Sequence, residues 1–195
     1  MKLRVDRLVK VAIALIAVIV LIIVAIRGCY NSVEKTLHPI KYSEYVEKYS
    51  EEYGVDPILV YAVIKTESGF DPNAKSNADA IGLTQITEET FAWLKLKMCP
   101  KEDVVFEDLY DPETSIRFGA YYIHRCLDRY NDHIDTAAAA YHSGWGTVDK
   151  LLEESGGEYL TEFPYTQMNN YVYKINKAYT AYTQLYKTET EGDLK

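Results

Sequence analysis

From Val11 to Ile26 the chain carries no polar side chain. Such a run reads as a helix for hydrocarbon. With Leu8 and Val9 counted, and Lys10 snorkelling, it approaches the roughly 20 residues that a helix needs to cross a bilayer. Lys2, Arg4, Arg7 and Lys10 stand at or before its start. By the positive-inside tendency they keep the N-terminus cytoplasmic and put everything after Ile26 outside, at the cell membrane. Two alternatives stay open. A cleaved signal peptide needs a small-x-small site, and Ala25-Ile26-Arg27 makes a poor one. Lipid attachment at Cys29 would use the preceding Gly28, but Arg27 is an awkward neighbour for such processing. The favoured reading is an uncleaved anchor over residues 1–28.

The net charge of −8 conceals an asymmetry. Up to Arg27 there are five basic side chains against one acidic, so the remainder carries −12. An acidic outer portion is unsuited to phosphate contacts, which argues against nucleic acid as a partner. Most of this charge reads as a solvated surface that keeps the domain soluble. Three cysteines, Cys29, Cys99 and Cys126, fall on the outer side. That compartment permits a disulfide, with Cys99 and Cys126 the pair inside the folded domain. No Cys/His spacing resembles a zinc site, and Asp128 to Asp135 lacks the glycine and terminal glutamate of a calcium loop. No metal or organic cofactor is implied.

Residues 29–41 read as a polar linker with a break at His38-Pro39, and residues 188–195 as a charged tail. Between them, residues 42–187 are punctuated as short helices. Gly54 stops the first, and Asp56-Pro57 caps and opens the second, whose run Ile58 to Ile64 is apolar nearly all round. An irregular stretch follows from Asp71 to Gln85. Thr87 caps a helix toward Met98, and Asp111-Pro112 opens one toward Tyr130. The alanine run Ala137 to Ala140 forms another. A short helix spans about Val148 to Leu152, and a long one about Gln167 to Tyr186. There is no repeat and no strand-period run of note, so the expected fold is one all-α domain of ordinary size. Most of the eighteen tyrosines serve as amphipathic packing residues, and several suit a sugar cleft.

Glu67 ends the apolar helix. Its position at the negative end of the helix macrodipole, beside Phe70, favours the protonated carboxyl and suits a general acid. Around it stand Ser68, Gly69, Phe70, Ala74, Ser76, Ala80, Gly82, Leu83, Gln85, Ile86 and Thr87. This pattern resembles the first motif of the soluble-lytic-transglycosylase-like (SLT) family, which cleaves the glycan strands of peptidoglycan on a lysozyme-like helical fold. Asp79 and Glu88 depart from it, standing where glycine and proline are usual. Ala139-Ala140-Tyr141-His142-Ser143-Gly144 is similar to the family's Ala-Ala-Tyr-Asn-Ala-Gly segment, with His142 in place of asparagine. Phe163 to Val172 resembles the start of the family's last helix, with Gln167 where glutamate is frequent; glutamine there can hydrogen-bond but not titrate.

The resemblance implies a membrane-anchored lytic transglycosylase acting on peptidoglycan glycan strands. Glu67 would act first as acid and then as base, and Tyr141 would orient its carboxyl. Ser76, Gly82, Gln85, His142 and Gln167 would hold substrate, with Gly82 allowing close approach. One carboxylate suffices when the attacking group is the substrate's own C6 hydroxyl, an intramolecular nucleophile. Two rivals remain. A lysozyme-type hydrolase needs a second carboxylate to activate water, with Asp71, Asp79, Glu88 and Glu89 as candidates. A non-catalytic wall-binding or assembly protein would keep the fold without the activity.

Overall fold

The computed structural model describes residues 2–190, with side chains at Lys10 and from Leu15 to Tyr186. The side chains of the expected cationic flank at Lys2, Arg4 and Arg7, those of Val11 to Ala14, and residues 191–195 of the tail lie outside the described residues. The chain divides into two units, Met1–Pro39 and Ile40–Lys195.

The first unit is a single helix, α1 (Lys2–Leu37). Its stretch Leu15–Leu37 is long and apolar enough to cross a membrane. Within that stretch the large apolar side chains are exposed. The sequence places a non-helical linker from residue 29, yet the helix runs on to Leu37. The polar residues after Asn31 include no breaker until Pro39, which disfavours helical geometry at the residue before it. His38 closes the last turn through its backbone N–H to Glu34 O at 2.8 Å.

The second unit is built from α2 (Ser43–Tyr53), α3 (Pro57–Glu67), α4 (Glu88–Met98), a 3-10 turn (Phe106–Tyr110), α5 (Pro112–Arg129), α6 (Ile134–Ser143), α7 (Trp145–Ser155) and α8 (Thr166–Thr190). Asp56 caps α3 by accepting from Ile58 N–H at 2.8 Å, and Pro57 supplies the preset φ of its first position. Leu59 to Ile64 are six consecutive buried residues, because α2, α5 and α8 all pack on α3. Thr87 and Asp111 cap α4 and α5 as expected, each accepting from the N–H three residues on. The buried alanines of α6 let α5, α7 and α8 approach it closely. Helix α7 is longer than its apolar core implied, since Gly144 and Gly156 bound it rather than Val148 and Leu152.

Among the described residues the extended pairing is limited to isolated bridges, Lys75 with Ile81 and Ile81 with Ile86, which pinch the segment after α3 into a tight loop. Gly82, at φ 78°, lies under the 3-10 turn. A Cβ there would stand 2.0 Å from Leu109 O. Only glycine fits that backbone and that contact.

Cys99 and Cys126 are both buried and both free. Cys99 ends α4 and feels the charges of Glu102, Arg117 and Lys95. Cys126 Sγ instead accepts from Trp145 Nε1–H at 3.3 Å.

Candidate active site

Glu67 is the last residue of α3, and the chain turns sharply after it: Gly69 and Phe70 take φ of 60° and 69°. A left-handed phenylalanine is strained, and it is held there because its ring is buried against Tyr61. Ser68 makes the turn rigid. Its hydroxyl donates to Leu83 O at 2.8 Å and accepts from Phe70 N–H at 3.2 Å, tying the end of α3 to the loop after it. The serine beside Glu67 is therefore a stitch between two segments.

The loop from Ala74 to Thr87 forms one wall of a cleft of about 630 Å³. The end of α6 at His142, and the first turns of α8 at Gln167, Tyr171 and Lys174, form the other. Of the residues expected to contact substrate, Ser76, Gln85, His142 and Gln167 line this cleft with Glu67. Gly82 does not; it is buried, and its missing side chain makes room for Leu109 O rather than for a ligand. Part of the expected binding capacity is already committed to the loop. Gln85 donates its side-chain amide to Ala74 O at 3.0 Å and Gly82 O at 2.9 Å. Ser76 Oγ accepts from the N–H groups of Ala78 and Ala80.

Glu67 is only partly exposed, and burial pushes its carboxyl up to about 7. Two opposing influences are weaker: a hydrogen bond from Tyr171 and the positive charge of Lys174. Tyr171 Oη donates to Glu67 Oε1 at 2.6 Å. Burial and the neighbouring Glu67 raise the Tyr171 hydroxyl well above its usual range, so it stays a donor.

The hydroxyl expected to orient Glu67 belonged to Tyr141, whereas the one that bonds Glu67 is that of Tyr171. Tyr141 Oη donates to Thr84 O at 2.7 Å. Thr84 is itself pinned to α5: its hydroxyl donates to Ser115 O at 2.9 Å, and its N–H donates to Ser115 Oγ at 3.2 Å. Tyr141 thus clamps the loop from below, one residue before Gln85. A spacing of 104 residues between Glu67 and Tyr171 left no local signal for the pairing. The segment containing Tyr171 was visible as cleft-lining, but not which of its side chains would reach the acid.

The ring of His142 stacks on that of Tyr171, with centroids 4.5 Å apart and planes 11° apart. Burial and the nearby Lys174 lower its pKa, so the imidazole is neutral at neutral pH. Lys174 is a cleft residue that no sequence motif announced. Among the described residues no group of three or more His, Cys, Asp or Glu is placed to hold a metal ion.

Residues 44–162 match the family described as Transglycosylase SLT domain. The chain is 31% identical over 176 residues to a membrane-bound lytic murein transglycosylase C of Shigella sonnei, covering 78% of this chain and 48% of that protein. A protein of the same name from Salmonella arizonae is 30% identical over 176 residues, with the same coverage. The chain therefore spans about half the length of these relatives. The 70 kDa soluble lytic transglycosylase of Escherichia coli superposes with a TM-score of 0.73 at 23% identity, over 77% of this chain and 25% of that one. A lytic transglycosylase Slt from Pseudomonas aeruginosa gives 0.67 at 22% identity, over 75% and 24%. The fold is the all-α, lysozyme-like one the sequence implied, and the chain belongs to the Transglycosylase SLT domain family.

Proposed function

We propose that this protein is a peptidoglycan lytic transglycosylase. It would cleave the β-1,4 bond between N-acetylmuramic acid and N-acetylglucosamine and leave a 1,6-anhydro-muramoyl end. The observation that carries this reading is the state of Glu67: a single carboxyl in the cleft lining, desolvated enough to hold its proton near pH 7. Tyr171 occupies Oε1, which leaves Oε2 to carry that proton. Glu67 gives it to the glycosidic oxygen as the bond to the muramoyl C1 breaks, and the substrate's acetamido oxygen assists at C1. The resulting carboxylate takes the proton of the C6 hydroxyl as that oxygen bonds to C1. Acid and base are one residue in turn, so the proton balance closes without water.

The hydrolase alternative needs a base on the far face of the sugar. None of the candidates Asp71, Asp79, Glu88 and Glu89 lines the cleft. Asp79 is instead paired with Lys75 at 2.8 Å on the surface. That favours the substrate's own hydroxyl as nucleophile. The relatives named membrane-bound, together with the exposed apolar face of Leu15–Leu37, favour an uncleaved anchor with the domain outside the cytoplasm. The domain limits follow as 1–28, 29–41, 42–187 and 188–195, with α1 continuing helically into the linker. Mass spectrometry of digested peptidoglycan tests the reaction. Anhydro-muropeptides are expected; reducing-end products alone would mean hydrolysis.

A further inference from the structure

His142 lines the cleft, and its place in the sequence suggested a substrate contact. The imidazole, however, lies flat on the Tyr171 ring, with centroids 4.5 Å apart and planes 11° apart. It meets that neighbour through a face and not through a nitrogen. Tyr171 is the residue whose hydroxyl donates to Glu67 Oε1 at 2.6 Å. His142 therefore stands one contact behind the acid. Asparagine, usual at this place in the motif, has no ring to lay on a phenol, so the arrangement is this chain's own.

A phenolic O–H lies in the plane of its ring, because an oxygen lone pair conjugates with the ring. Fixing that plane fixes where the proton points, and a hydrogen bond weakens steeply when misaligned. Tyr171 is buried, and α8 packs on both α3 and α6. His142, the penultimate residue of α6, is itself exposed, so its ring is the cover between solvent and that buried phenol. Burial and the charge of Lys174 keep the imidazole neutral, so the stack adds packing without adding a charge beside the acid. The other groups that bear on Tyr171 and Glu67 are Tyr141 from α6, Cys126 from α5 and Lys174 from α8. Each of them is left in place by an exchange at position 142.

We propose that His142 is a positioning residue for Glu67: by lying on Tyr171 it aims the hydroxyl that holds the carboxyl. The inference rests on the glycan-cleaving reading above for its kinetic consequence alone. The test uses the full chain, with the Glu67 carboxyl carbon labelled and its titration followed by NMR. The Tyr171 hydroxyl lowers the Glu67 pKa, so a hydroxyl that is no longer aimed lets it rise. His142→Ala should move the midpoint upward by as much as about one pH unit, the scale of a lost hydrogen bond to a charged group. His142→Phe keeps a ring face and no nitrogen, and should restore the wild-type midpoint. In the Tyr171→Phe background, His142→Ala should produce no further rise. Water admitted by the smaller side chain acts alike in both backgrounds, so the difference between them reports the stack. On peptidoglycan, His142→Ala should lower kcat with KM little changed, and His142→Phe should recover it. No shift, or equal shifts in the two backgrounds, would overturn the positioning role. A raised KM that His142→Phe fails to restore would overturn it as well, making His142 a substrate contact through its nitrogens. A wild-type chain that titrates as described but releases no anhydro-muropeptides would overturn the catalytic reading and leave the positioning of Glu67 standing.

Discussion

Tyr141 and Tyr171 are both buried, both donate one hydroxyl hydrogen bond, and both lie close to Glu67, yet they do different work. Tyr141 gives its proton to a backbone carbonyl that is also anchored through Thr84 and Ser115, so that region is a closed network with nothing left to react. Tyr171 gives its proton to a carboxyl that burial has pushed up to about 7 and that has one oxygen left over. The same side chain is structural in one place and electrostatic in the other, and the acceptor decides which. A satisfied buried network stabilises the fold. An incompletely paired acid costs stability and gains a usable proton.

That contrast can be broken at several points. The largest effect is expected from Glu67→Gln, which keeps the shape and the acceptor for Tyr171 but removes the proton. Turnover measured by peptidoglycan solubilisation should fall by about 10²–10⁴-fold, the usual contribution of a general acid. The same substitution should stabilise the fold above neutral pH. Glu67 in the folded protein titrates at about 7 rather than at its ordinary 4.5. Its native environment therefore favours the protonated form; that relative stability is complete below pH 4.5 and is lost as pH rises through 7. By denaturant titration, Glu67→Gln should match the wild type at pH 4 and exceed it at pH 8 by at most about 3 kcal/mol.

Tyr141→Phe should cost about 1–3 kcal/mol of stability, because the buried Thr84 carbonyl loses its donor. Its pH–rate profile should keep the wild-type midpoint. Tyr171→Phe should do the reverse. Its hydroxyl lowers the Glu67 pKa, so removing it moves the alkaline limb of kcat/KM upward in pH. Interchanged results for the two tyrosines would restore the sequence-based assignment. The smallest effect is expected from Lys174→Met, which shifts the same limb upward by removing the weakest of the opposing influences on Glu67.

What was legible in the sequence follows interaction range. The caps at Asp56, Thr87 and Asp111 are bonds over two or three residues, and each sits where the residue pattern put it. Glu67, Gln85 and His142 were found through motifs, and the cleft brings them together. What the motifs left open was the part each side chain plays within them. Gly82 makes room for Leu109 O of the 3-10 turn, and the Gln85 side-chain amide bonds the loop's own Ala74 O. The choice between Tyr141 and Tyr171 depends on how α8 packs on both α3 and α6, which periodicity does not encode. The Cys99–Cys126 bridge rested on compartment alone, and in this fold both thiols are free.

The central claim is that Glu67 holds a proton at neutral pH. Its carboxyl carbon, labelled with ¹³C and followed by NMR against the Glu67→Gln spectrum as blank, should titrate with a midpoint near 7. A midpoint near 4.5, that of an ordinary exposed glutamate, would contradict the account.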